Sequence, residues 1–313
     1  MPLVTENVLG SIGNTPLVEL RKVVPAGCGR VFAKLEWTNP TGSMKDRMAV
    51  AAIRSAEANG RLQPGGTVVE YTSGTTGISL ALVCAARGYG LEVVFSDAFS
   101  EEKRRTMQAF GARITDVPSD NQQITETLIK AMINTAAEIS RSPGHWYCDQ
   151  LNNHDAIQGY LPLGEEIWRQ TQGEVTAFVH SVGTAHSIHG VTQALWRHDP
   201  KIRVVAVEPA ESAVLSGGPS GSHKIEGIGI GFIPPLWRPD QVNEIQSVVT
   251  KEAKEMTRRL ACEEGIFGGT SSGANVVAAI RVARSLGSGA NVVTVVCDSG
   301  LRYLSTDVYR APA

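Results

Sequence analysis

Short runs of β-branched and apolar residues alternate along this chain with longer amphipathic or alanine-rich stretches. The apolar runs 31–37, 67–71, 91–96, 114–117, 175–180, 203–208 and 291–297 have the length and composition of strands. Between them, 48–59, 76–87, 124–141, 253–264 and 273–285 read as helices. Gly60 and Gly88 stand where left-handed closures would end two of these helices. Ser100 stands where an N-cap would open another, with Glu101 and Glu102 in its first turn. Strands alternating with helices of this length imply an α/β fold with mostly parallel sheets. In such folds the loops leaving the strand C-termini lead into helix N-termini, where ligands bind. The informative residues are therefore expected just after strands.

Composition narrows the class. The chain has 313 residues, 42% hydrophobic and 19% charged, enough to bury a sizeable core as one large unit or two subdomains. A net charge of −2 offers no basic surface for nucleic acid and no polybasic membrane patch. No apolar run approaches the roughly 18 residues of a membrane span, and residues 1–9 show no secretory pattern. Five cysteines, an odd number with no C-x-x-C pair, suit free thiols in a reducing compartment, so a cytoplasmic location is expected.

Four strand-end segments carry candidate chemistry. In Asn39-Pro40-Thr41-Gly42-Ser43-Met44-Lys45-Asp46-Arg47 a turn leads into a helix with Lys45 in its first turn. A cation is poorly placed at that end of the dipole. Lys45 is either a solvated surface lysine or one whose charge is removed by imine formation with an aldehyde cofactor. In Thr72-Ser73-Gly74-Thr75-Thr76-Gly77, hydroxyls and glycines precede an Ala/Leu-rich helix, which suits either an anion or an ordinary capped helix. Gly183-Thr184-Ala185-His186-Ser187, before a helix from about Ile188, has the same design with fewer glycines. Asp298-Ser299-Gly300 ends the last strand. His186 and His189 have no third ligand at sensible spacing, so no metal site is expected. Phosphate-loop and dinucleotide patterns are absent.

Taken in order, these segments resemble the cysteine synthase (O-acetylserine sulfhydrylase) family of fold-type II pyridoxal-phosphate enzymes, which are tryptophan synthase β-like. The resemblance begins at Gly10-Ser11-Ile12-Gly13-Asn14-Thr15-Pro16 and runs through the Lys45 and Thr72–Gly77 segments. It continues through Gly183-Thr184, His223-Lys224-Ile225-Glu226-Gly227-Ile228-Gly229, Gly268-Gly269-Thr270-Ser271-Ser272-Gly273 and Asp298-Ser299-Gly300. It implies pyridoxal 5'-phosphate as cofactor and Lys45 as both its Schiff-base lysine and the base that removes the substrate α-proton. It further implies that Thr72, Ser73, Gly74, Thr75 and Thr76, with Gln150, bind the substrate carboxylate, Thr75 also touching the cofactor. Gly183, Thr184, Ala185, His186 and Ser187 would cradle the cofactor phosphate, Gly227 would face the ring, and Ser299 would hydrogen-bond the pyridine nitrogen. A neutral serine there makes a milder electron sink than an aspartate, which suits elimination. Asp298 is the neighbouring candidate, but alternation along an extended segment points the two side chains oppositely. The resemblance also implies a smaller, mobile subdomain over 39–152 and a larger, phosphate-binding one combining 1–38 with 153–313, with the protein a homodimer.

Three departures bear on specificity. Thr75 stands where the family has an asparagine, and Ala185-His186-Ser187 stand for two glycines and a threonine. The segment 152–163, with Tyr160, Pro162 and Leu163, lacks the family's usual elements at the substrate entrance. The implied reaction is β-replacement, forming cysteine from O-acetylserine and sulfide through an aminoacrylate. The alternatives are another donor or nucleophile (O-phosphoserine, serine with homocysteine as in cystathionine β-synthase, or a nitrogen nucleophile) and a non-catalytic or regulatory homologue. A serine acetyltransferase partner is a further possibility of the family.

Overall fold

The computed structural model describes residues 4–310. In chain order the first elements are β1 (Leu17–Leu20), β2 (Arg30–Leu35), α1 (Lys45–Ala58), β3 (Thr67–Tyr71), α2 (Thr75–Arg87), β4 (Gly90–Phe95), α3 (Glu101–Ala109), β5 (Arg113–Asp116), α4 (Glu126–Ile139) and β6 (His145–Tyr147). The remainder are α5 (Leu161–Gln170), β7 (Ala177–Ser181), α6 (His186–His198), β8 (Arg203–Pro209), β9 (Glu244–Val248), α7 (Thr250–Arg259), α8 (Thr270–Leu286) and β10 (Asn291–Val296). A π-helical turn, Leu260–Glu264, follows α7.

The chain divides into two compact units. The first takes the described residues up to Ile12 and Asn39–Gly159. Its sheet has the order β5-β4-β3-β6, parallel throughout. The central strand β3 is buried from Val68 to Tyr71, which explains its continuous apolar run. The second unit takes Gly13–Thr38 and the described residues from Tyr160 on. Its sheet has the order β1-β2-β10-β7-β8-β9, parallel except for the β1–β2 pair. Val31, Ala33, Val179, Val205, Val292 and Ala278 are fully buried in the core that joins this sheet to α8. An α/β fold with two mostly parallel sheets is thus what the alternation of runs predicts.

Boundaries move for local reasons. Residues 153–159, expected with the larger piece, lie in the first unit. Asp155 pairs with Arg61, and a Cβ on Gly159 would come within 2.3 Å of the Arg47 carbonyl oxygen. The 3-10 turn Val8–Ser11 is also in the first unit, against α2. Residues 1–3 and 311–313 of the expected larger piece lie outside the described residues. The strand expected to reach Trp37 stops at Leu35. Glu36 there turns inward to accept the Thr15 hydroxyl at 2.6 Å. Ser100 sits at the N-cap of α3 but makes no side-chain cap. The strands β1, β6 and β9 were hidden because they are three to five residues long and carry few buried apolar positions. All five cysteines are free thiols. Among the described residues, no helix is long and apolar enough to cross a membrane, and no three His, Cys, Asp or Glu side chains group to hold a metal.

Candidate active site

In the first unit, two strand-to-helix loops are cross-tied. The loop before α1 is held by Asp46, whose carboxylate accepts the Thr41 N–H at 2.8 Å, the Thr41 hydroxyl, and the Ser79 hydroxyl of α2 at 2.6 Å. Asp46 is fully buried. Lys45, the first residue of α1, is half-buried, and its N–H donates to the Ser43 hydroxyl oxygen at 3.1 Å. Ser79 is a residue that motif reading misses, since it ties the lysine's loop to α2 from outside it; Asp46 lies inside the Asn39–Arg47 segment, but motif reading gives it no role.

After β3 the chain passes through Thr72 to Gly74 and enters α2 at Thr75. Thr72 Oγ1 accepts the N–H groups of Gly74 at 2.9 Å and Gly77 at 3.4 Å, curling the loop over the helix N-terminus. Gly74 has φ +127°, and a Cβ there would lie 2.4 Å from Cδ of Lys103, so glycine is required twice over. Ser73 is exposed and Thr75 half-buried. Thr76 donates its hydroxyl to Gln150 Oε1 at 2.8 Å, and Gln150 Nε2 donates to the Tyr71 carbonyl at 2.8 Å. The glutamine therefore splices the two ends of the loop. Beneath it, Glu70 accepts the N–H groups of Gln150 and Tyr71 at 2.9 and 3.0 Å. Complete burial pushes the Glu70 carboxyl well above the usual range. The loop brings hydroxyls and N–H donors of a helix start together, an arrangement that receives a carboxylate.

In the second unit, β7 leads through Gly183 and Thr184 into α6, two residues earlier than the pattern predicts, so His186 and Ser187 belong to its first turn. Ala185 takes a left-handed conformation, φ +69°. A Cβ on Gly183 would stand 2.5 Å from the Gly227 carbonyl oxygen, so the two backbones touch. His186 is buried, with Nδ1 2.8 Å from Thr184 Oγ1. His180 Nε2 lies 2.7 Å from Ser187 Oγ. His189 Nε2 accepts the Arg238 N–H at 3.1 Å. After β10, Asp298 accepts the Tyr303 hydroxyl at 2.6 Å. Ser299 Oγ accepts the Leu301 N–H at 3.3 Å, which leaves its own hydrogen to donate. The departing segment near 160 is packing: Tyr160 and Leu163 are fully buried and α5 begins there, while Pro162 is exposed.

Residues 8–298 match the family model described as pyridoxal-phosphate dependent enzyme. The chain belongs to this family. A cysteine synthase of Staphylococcus aureus is 42% identical over 306 residues, 97% of either chain. Among solved structures, cysteine synthase of Entamoeba histolytica superposes with TM-score 0.93 at 35% identity, over 100% of this chain and 93% of that one. The O-acetylserine dependent cystathionine β-synthase of Helicobacter pylori superposes with TM-score 0.91 at 33% identity, over 98% of this chain and 100% of that one.

This pyridoxal-phosphate dependent enzyme has residues that fit the cofactor. The Gly183–Ser187 turn, packed at Gly183 against the Gly227 backbone, opens a 13-residue helix whose first N–H groups have no partner within the helix. The donor set of hydroxyls and N–H groups matches a phosphate.

Proposed function

We propose that this enzyme forms cysteine from O-acetylserine and sulfide by replacing the group on the β-carbon. The reading is carried by the conjunction of Lys45 at the start of α1 and the spliced Thr72–Thr76 loop in a chain 42% identical to a cysteine synthase over 97% of its length. Pyridoxal phosphate, when bound, supplies an aldehyde for the amino group and an electron sink for the α-carbon.

In this proposal Lys45 Nζ would hold the cofactor's aldehyde carbon, and the same amine would serve as the base for the substrate α-proton. Ser73, Thr75 and the N–H groups at the start of α2 receive the substrate carboxylate. Thr72, Thr76 and Gln150 keep that loop in shape, because their hydroxyl and amide groups bond one another and the backbone. Gly183 to Ser187 would hold the phosphate. Gly227 keeps the facing backbone close, and Ser299 would donate to the ring nitrogen. Asp298 is held by Tyr303 instead. A homodimer in a reducing cytoplasm belongs to the same reading.

Borohydride reduction followed by peptide mapping should place the phosphopyridoxyl group on Lys45. Lys45→Ala should lower cysteine formation by at least about a hundredfold. Bound cofactor with no turnover of any activated serine would overturn the proposal and leave a non-catalytic homologue. Thr75, in place of the family asparagine, favours one second reading, a different nucleophile. Relative kcat/KM for sulfide, homocysteine and nitrogen nucleophiles decides between them.

A further inference from the structure

A chain of buried polar groups lies behind the Gly183–Ser187 turn, and its hydrogens can be followed one by one. Asn275, fully buried on α8, accepts the Ser181 N–H through Oδ1 at 2.7 Å, which settles which end of its amide is oxygen. Its Nδ2 then carries two hydrogens. One goes to the Val295 carbonyl at 2.8 Å. The other is shared between His180 Nδ1 and Cys297 Sγ, both at 3.4 Å, and the imidazole nitrogen is the stronger acceptor. A nitrogen facing an NH2 group must offer its lone pair, so the proton of the neutral His180 ring sits on Nε2. That N–H donates to Ser187 Oγ at 2.7 Å. With its oxygen accepting, Ser187 has its hydroxyl hydrogen left to give outward from the first turn of α6. His180, Ser187 and Asn275 are all buried, so water does not compete for these bonds.

We propose that Asn275 and His180 are positioning residues that set the Ser187 hydroxyl as an obligate donor to the cofactor phosphate. This rests on the reading that the 183–187 turn holds that phosphate. The oxygens of a phosphate dianion only accept, so a serine free to rotate would face them with a lone pair part of the time. The relay removes that orientation.

The test uses the holoenzyme and two readouts besides turnover: the 31P shift of the bound cofactor and its rate of release on dilution. Ser187→Ala should move the 31P shift and speed release about tenfold, the effect of one charge-assisted hydrogen bond. His180→Phe should do the same, His180→Gln should restore release to within about twofold, and His180→Phe should add nothing in the Ser187→Ala background. An unchanged His180→Phe, or a further loss in that background, overturns the relay while leaving the phosphate turn in place. A silent Ser187→Ala overturns the phosphate reading itself. Should His180→Phe not fold, 15N shifts of histidine-labelled unmutated holoenzyme decide: an Nε2–H tautomer at His180 supports the relay, and an Nδ1–H tautomer overturns it.

Discussion

His189 shows how a buried side chain ties stability to pH. Burial and then the nearby Arg238 charge push its ring down to about 4 from an ordinary 6.5. The folded state binds that proton less tightly than the unfolded chain. Its contribution is therefore whole above pH 6.5 and is lost as pH falls towards 4. The shift corresponds to roughly 3 kcal/mol. Wild-type urea midpoints should fall between pH 7 and 4.5 more steeply than those of His189→Gln, which keeps an acceptor for the Arg238 N–H. Equal slopes would refute the assignment. At this scale, residue type and loop context singled out Lys45, Thr72 and Ser299: Thr72 and Ser299 follow β3 and β10, and Lys45 opens α1. The contacts that hold the loops were not legible: Gln150, which the resemblance assigns to the substrate carboxylate, bonds Thr76 from 74 positions away, and Asn275 bonds Ser181 from 94. Ser100 shows the reverse, a favourable cap residue whose hydroxyl bonds none of the described residues.

At the scale of elements, α7 and α8 meet through one glycine. A Cβ on Gly273 would lie 2.1 Å from the Ala253 carbonyl oxygen and 2.2 Å from Thr257 Oγ1. Backbone and a β-branched side chain cannot yield as a flexible tip would. Gly273→Ala should therefore force the helices apart and destabilise the protein by about 1–3 kcal/mol, read as a lower urea midpoint. A gain in stability from better helix propensity would show that the contact is softer than its geometry. The long helices and fully buried strands could be read from periodicity because burial on both faces demands uninterrupted apolar runs. The edge strand β1 could not, since its burial is uneven and its pairing with β2 is antiparallel. Gly273, marked in the sequence only by the family resemblance, acts in helix packing.

At the scale of the whole molecule, the second unit is built from two separated stretches of chain. Strand β2 pairs along the full length of β10, and Val31 and Ala33 enter the same core. Residues 160–313 produced alone should thus lack cooperative urea unfolding, while the same stretch joined behind 13–38 should regain it. Far-UV circular dichroism across a urea series checks this, and equal midpoints for the two would refute it. The amino-acid sequence by itself determined the α/β class and the cofactor family. Strand periodicity and helix-start residues are local, and the order of motifs is written in the chain. Only the tertiary structure decided which unit residues 153–159 join, that Gln150 splices the hydroxyl loop, and that His180 and Asn275 stand behind Ser187. Those depend on hydrogen bonds and close approaches between residues far apart in sequence, which no local pattern encodes.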